Sequence, residues 1–217
     1  MRRHSQENVA ALPVVALKQL GYFEGLSFNV AKYLSLIREP GRLTLLRRRV
    51  AEVDTSHKHL VVYCILIHGG AVFAYRRGKD TSETRLQGRV SVGVGGHVSS
   101  RDLSLLQPDC EGALLREMAE EIAIETEYRL RCVAVVNDDS DPVGKVHFGI
   151  VFVALLARPR VYVREESLEE IGFVSARDLA TYTQRFENWS RICVDQIGGI
   201  LERARVCSPI DPSLVGP

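Results

Sequence analysis

The sequence predicts an α/β fold in which a mixed sheet lies between helices, an α/β/α sandwich. Two features carry that reading. Apolar runs of strand length recur at 59–67, 71–75, 89–94, 128–136 and 146–156, each followed by glycine or polar turn residues. Stretches with apolar residues at helical spacing stand among them, at 28–37, at 111–124 and from 186 onward. Strands interleaved with helices favour layered packing.

A chain of 217 residues suits one large domain, or one domain with an extension, and buries a core without covalent staples. Its 46% hydrophobic and 25% charged residues are ordinary for a globular protein, and a formal net charge of +1 gives no sign of a nucleic-acid binder. Cys64, Cys110, Cys132, Cys193 and Cys207 are odd in number and contain no C-x-x-C pair. Neither a zinc site nor a disulfide framework is indicated by them, and a reduced, cytoplasmic setting is the simplest inference. No apolar run has the length of a membrane span. The expected divisions are an N-terminal extension over 1–57 packed on a core, a main domain over 58–207 and a frayed tail over 208–217.

Within the extension, Val30, Tyr33, Leu34 and Ile37 share one helical face and Pro40-Gly41 ends it. Arg47-Arg48-Arg49 is the one basic run, read as a solvated face with a phosphate contact as the alternative. The run from His59 is a buried strand, His68-Gly69-Gly70 a turn, and the run from Ala71 its hairpin partner. Residues 80–88 are loop-like, and their Glu83 and Arg85 could face a cleft.

A glycine loop, Gly93-Val94-Gly95-Gly96-His97-Val98, then feeds the most acidic helix. At roughly 100° per residue, Glu117, Glu120 and Glu121 gather on one side of that helix, with Leu115, Met118, Ala119 and Ile122 opposite. Most acidic helix faces are merely solvated. Here Arg116 adjoins the cluster and Gly95-Gly96 allow close backbone approach to a ligand. Three carboxylates within reach of one another repel unless a cation joins them, and hard oxygen donors in that number suit Mg²⁺ or Mn²⁺. Asp109 is a candidate N-cap, and 103–110 reads as a surface excursion without a period. The acids of Asn137–Pro142 are read as turn formers, and His147 as a structural residue at the head of a strand. The stripe Trp189, Ile192, Cys193, Ile197, Ile200 and Leu201 predicts a single packed helix.

The helix sequence Arg116-Glu117-Met118-Ala119-Glu120-Glu121-Ile122-Ala123-Ile124, downstream of Gly95-Gly96, resembles the signature of the Nudix hydrolases, G-x5-E-x7-R-E-U-x-E-E-x-G-U with U apolar. Counting from Gly96, Asp102 stands where that pattern has Glu. Thirteen residues, 103–115, fill a spacer of seven, and Ala123 replaces the last glycine. The run Ser91-Val92-Gly93-Val94-Gly95-Gly96-His97 resembles in particular the predicted phosphoesterase branch of the family, and the resemblance covers roughly 58–205.

The resemblance implies a Nudix-type sandwich that hydrolyses a diphosphate linkage in a nucleoside diphosphate joined to another group. Glu117, Glu120 and Glu121 would hold Mg²⁺, with Mn²⁺ as the alternative, and the Gly95 carbonyl would add a ligand. Arg116 would orient the carboxylates, while Arg77, Gly96 and His97 would contact the substrate. Glu120, Glu121 and Arg116 are the expected catalytic residues; Glu121 is the expected base, supplemented by Glu169 or Glu170 from an acid-rich loop that also holds Glu165 and Glu166. Asp102 is expected to be peripheral, bonded to the glycine loop. The expected partner is a small phosphate-containing molecule, with no nucleic acid and no membrane, and at most a second copy of the chain in a homodimer. Two readings stay open beside this one: a non-catalytic nucleotide-binding module of the same fold, and an isomerase of an isoprenoid diphosphate, which would need a reactive Cys paired with a Glu.

Overall fold

The computed structural model describes residues 7–78, 86–104 and 107–206. Glu83, Arg85, Cys207 and the tail 208–217 lie outside the described residues. The first strand is β1 (Asn8–Pro13), in which Val9 to Leu12 are fully buried. Pro13 has no N–H to continue the ladder, and α1 (Val14–Gly21) begins directly after it. β2 (Gly25–Ser27) leads to α2 (Val30–Arg38), which buries Tyr33, Leu36 and Ile37. β3 (Thr44–Arg47) and α3 (Arg48–Ala51) divide the basic run, and Arg48 pairs with Glu52 at 3.1 Å and Glu7 at 3.6 Å.

β4 (His57–His68) and β5 (Ala71–Arg77) form the expected hairpin, with Ile67 opposite Val72 and His68 opposite Ala71. Gly69 and Gly70 have φ of 56° and 83°, the left-handed pair that a two-residue hairpin turn requires. The run at 89–94 is two strands, β6 (Val90–Ser91) on β5 and β7 (Gly93–Val94) on β4. At the break Val92 N–H bonds Ser190 Oγ at 3.0 Å, so a side chain takes the place of a ladder partner. The segment read as aperiodic contains a small hairpin, β8 (Leu103–Ser104) with β9 (Gln107–Pro108).

α4 (Cys110–Glu121) starts as the sequence suggests. Asp109 Oδ1 accepts the Gly112 N–H at 2.8 Å, and a Cβ at Gly112 would meet Asp109 Oδ2 at 2.2 Å. The helix stops at Glu121, three residues short of the expected end, because β10 (Ile122–Ile124) pairs with a later strand. Then come β11 (Tyr128–Asn137), β12 (His147–Leu156), β13 (Val161–Val163), which is the partner of β10, and β14 (Leu168–Ser175). A 3₁₀ stretch, Asp178–Arg185, precedes α5 (Asn188–Asp195) and α6 (Ile197–Val206). The single helix expected from 186 is thus broken at Gln196, whose N–H turns back to the Cys193 carbonyl.

The class is α/β, with strands paired in the order β14-β5-β4-β12-β11-β2 and β1 joined to β3 and β4. Two compact units divide the chain: Met1–Val62, Gly96–Leu115 and Ala134–Ile150 make one; Tyr63–Gly95, Arg116–Val133 and Val151–Pro217 make the other. The first is packed around Leu12, Leu17, Leu60 and the aromatic trio Phe23, Tyr33 and Phe148, whose ring centroids lie 5.0–6.1 Å apart. The second is packed around Ile65, Phe73, Tyr75, Met118 and Ile122. Among the described residues no helix is long and apolar enough to cross a membrane.

Candidate functional site

In the second unit the C-terminal turns of α4 carry the acidic cluster. Met118 is buried, and Ala119 is exposed rather than on the apolar side, its carbonyl accepting Arg164 Nη1 at 3.0 Å. The three carboxylates meet three different environments. Glu120 is 59% exposed, Glu117 is 18% exposed, and Glu121 turns its carboxylate inward, where Oε2 is buried without a hydrogen-bond partner. Arg116 Nη1 donates to Glu117 Oε1 at 2.6 Å and lies 3.8 Å from Glu120 Oε1.

Burial pushes the Glu121 carboxyl up to about 8; Arg77 opposes this, Glu165 and Glu117 add to it, and a hydrogen bond from the Gly95 N–H opposes it again. A buried carboxyl with one orphan oxygen and two like-charged neighbours is a setting that a bound cation relieves. Glu117, Glu120 and Glu121 are hard oxygen donors of the kind a divalent cation such as Mg²⁺ takes, so the donor set fits one by its chemistry, while their oxygens do not already converge within 4.8 Å.

Arg77 ends β5 beside this carboxyl. Its Nε donates to Glu187 Oε2 at 2.8 Å and its guanidinium lies 5.7 Å from the Tyr75 ring centroid. Burial disfavours the charge, but Glu187 beside it outweighs burial and keeps the guanidinium ionised. Glu187, 6% exposed, also accepts Ser91 Oγ at 2.8 Å. Sequence reading missed Glu187: a single Glu before a helix carries no signal until folding sets it against β5 and β6.

The acid-rich loop hangs on the end of α4. The Glu121 carbonyl accepts the N–H groups of Arg164 at 2.8 Å and Glu165 at 3.3 Å. Glu165 is therefore the loop acid that acts on the Glu121 carboxyl. Glu169 pairs with Arg76 at 3.3 Å on the surface, and Glu170 accepts the Val163 N–H at 3.4 Å.

Gly96 and His97 fall in the first unit. The Gly96 carbonyl accepts the Val62 N–H at 2.9 Å. His97 stacks on His59, with ring centroids 4.7 Å apart and planes 8° apart, and its Nε2 is 3.2 Å from His147 Nε2. Among the described residues, the group of three whose donor atoms converge within 4.8 Å is His59, His97 and His147, not the glutamates of α4. His147 is thus not isolated, and three histidines spaced 38 and 50 residues apart give no sequence signal for a cluster. Asp102 bonds not the glycine loop itself but Ser99, just after it. Its Oδ2 accepts the Ser99 N–H and the Ser99 hydroxyl, both at 2.8 Å, capping the turn Ser100–Asp102.

No protein-family model matches the chain. It is 32% identical over 161 residues to Protein YmaB of Bacillus subtilis, covering 69% of this chain and 76% of that protein. Among solved structures it is similar to Tm1382, a candidate Nudix hydrolase, with a TM-score of 0.72 and 23% identity over 88% of this chain and 98% of that one. The NUDIX domain of Shewanella oneidensis NrtR, solved with ADP ribose, matches at a TM-score of 0.51 and 18% identity over 65% of this chain and 87% of that one.

Proposed function

Because the chain has the fold of the Nudix hydrolases and belongs to the family that Protein YmaB represents, we propose that it is a divalent-cation-dependent hydrolase of a diphosphate linkage in a nucleoside diphosphate joined to another group. The observation that carries this is the inward-turned Glu121 carboxylate, its Oε2 orphaned, on the same helix end as Glu117 and Glu120. Glu117, Glu120, Glu121 and the Gly95 carbonyl would hold the ion, with Mg²⁺ first and Mn²⁺ second. When bound, such an ion neutralises diphosphate charge and acidifies water.

The chain's own groups have separable tasks. Arg116 holds Glu117 in one orientation through its 2.6 Å contact. Arg77, at the end of β5, contacts the substrate. Glu121 accepts the proton of the attacking water, and Glu165, fixed to the same helix end, supplements it in place of Glu169 or Glu170. The isomerase reading loses support from the thiols: Cys64 and Cys193 are buried, and burial pushes Cys110 up to about 12.

The test is a panel of nucleoside diphosphates linked to sugars, nucleosides or alkyl groups, ADP-ribose among them because NrtR binds it, assayed with Mg²⁺ or Mn²⁺. Cleavage of at least one member, abolished by chelation, is expected. Binding of a member without cleavage under either ion would replace this reading by the non-catalytic module, which Asp102 favours by serving as a cap.

A further inference from the structure

We propose that His59, His97 and His147 form a second metal site, for a late first-row divalent ion with Zn²⁺ foremost, built in the first unit from ligands unlike those of α4. The strongest observation is His59 itself. It lies in β4 with no solvent exposure, and neither ring nitrogen has a hydrogen-bond partner. A buried imidazole left in that state is costly, and native structures rarely tolerate it without a ligand.

The other two rings give the site its geometry. His147 Nδ1 lies 2.5 Å from the Val143 carbonyl, which can only accept, so the proton is on Nδ1 and Nε2 presents its lone pair. That is the outer contact that orients a histidine ligand toward a metal. His97 Nε2 is 3.2 Å from His147 Nε2. A tetrahedron with Zn–N bonds of 2.0–2.1 Å has an edge of about 3.3 Å, so the pair already has the spacing of two ligands to one ion. All the donor atoms lie within 4.8 Å of each other, and completing the set requires the His59 ring to rotate out of its stack on His97.

Imidazole nitrogens select Zn²⁺, Cu²⁺ or Ni²⁺ over Mg²⁺, so the site does not compete for the ion of the carboxylates. Three protein ligands leave a fourth position open to water or to a small anionic ligand. The backbone frames the ligands firmly. His97 bridges to Val61, Val98 N–H bonds the Leu60 carbonyl at 3.0 Å, and His147 opens β12.

The inference is independent of the hydrolase reading, and its test uses the metal alone. Full-length protein without a histidine tag is stripped with chelator and titrated with Zn²⁺, by calorimetry and by elemental analysis after gel filtration. One tightly held equivalent is expected, weakened about a hundredfold or more in His147→Gln and in His59→Gln and unchanged in Glu120→Gln. Co²⁺ substitution of the wild-type protein gives a readout that needs no variant: intense visible bands of a tetrahedral nitrogen site are expected, with the His59 ring proton resonances shifted. No bound equivalent, weak pink octahedral Co²⁺, or binding lost in Glu120→Gln but kept in His147→Gln would each overturn the site. In those cases the 3.2 Å contact is a plain N–H···N hydrogen bond between His97 and His147.

Discussion

The Gly95 backbone N–H is hydrogen-bonded to the carboxylate of Glu121, which ties the glycine loop to the end of α4 at the most deeply buried acid of the cluster. The bond favours the ionised carboxyl, yet burial wins and holds its titration at about 8. The unfolded chain releases this proton near the ordinary value of about 4.3. Between those pH values the folded state holds a proton that the unfolded state has lost, so stability without divalent ions falls as pH rises from about 4.3 to about 8. Thermal melts across that range are expected to lose this slope in Glu121→Gln. In the wild type, Mg²⁺ is expected to stabilise more at the alkaline end than at the acid end.

Glu120→Gln is expected to reduce Mg²⁺-dependent turnover by about a hundredfold or more, roughly 2.7 kcal/mol of barrier, with the melting temperature almost unchanged, because the side chain is 59% exposed. Asp102→Ala is expected to do the opposite: activity within a few-fold, but stability lowered by about 1 kcal/mol through loss of both Ser99 contacts. Steady-state kinetics beside melts separate the two. Equal losses of turnover would assign Asp102 to the machinery.

Arg116 lies on two carboxylates at once, at 2.6 Å and 3.8 Å. Lysine keeps the charge but not the planar fork, so Arg116→Lys is expected to lose about tenfold in turnover and to raise the Mg²⁺ concentration needed for half-maximal rate. A variant with an unchanged metal dependence would show that Glu117 needs no orienting partner.

Lys58, 1% exposed, is held by Asp139 Oδ1 at 2.7 Å and the Gly144 carbonyl at 2.8 Å. Burial works against its charge and lowers its titration from the ordinary range. Asp139→Asn therefore leaves a buried ammonium without its counter-ion. Asp139 is 37% exposed, so the expected loss is about 2 kcal/mol rather than the 3–5 of a fully buried pair, about 4–8 °C in melting temperature. Adding Lys58→Met to that variant is expected to recover part of the loss.

Local sequence by itself determined the hairpin at Gly69-Gly70, the strands β4, β5, β11 and β12, the Asp109 cap and the acidic end of α4. Each follows from period, turn chemistry or capping within a dozen residues, the range over which the chain's own stereochemistry decides. The end of α4 at Glu121 and the break of β6 from β7 were decided only in the tertiary structure, because β13 and Ser190 lie far away in sequence. The sites divide in the same way. Glu117, Glu120 and Glu121 are neighbours on one helix and could be read as a set from spacing alone. His59, His97 and His147, Arg77 with Glu187, and Glu165 with Glu121 meet only because strands and loops distant in the chain pair with one another, and single-sequence spacing holds no trace of that pairing.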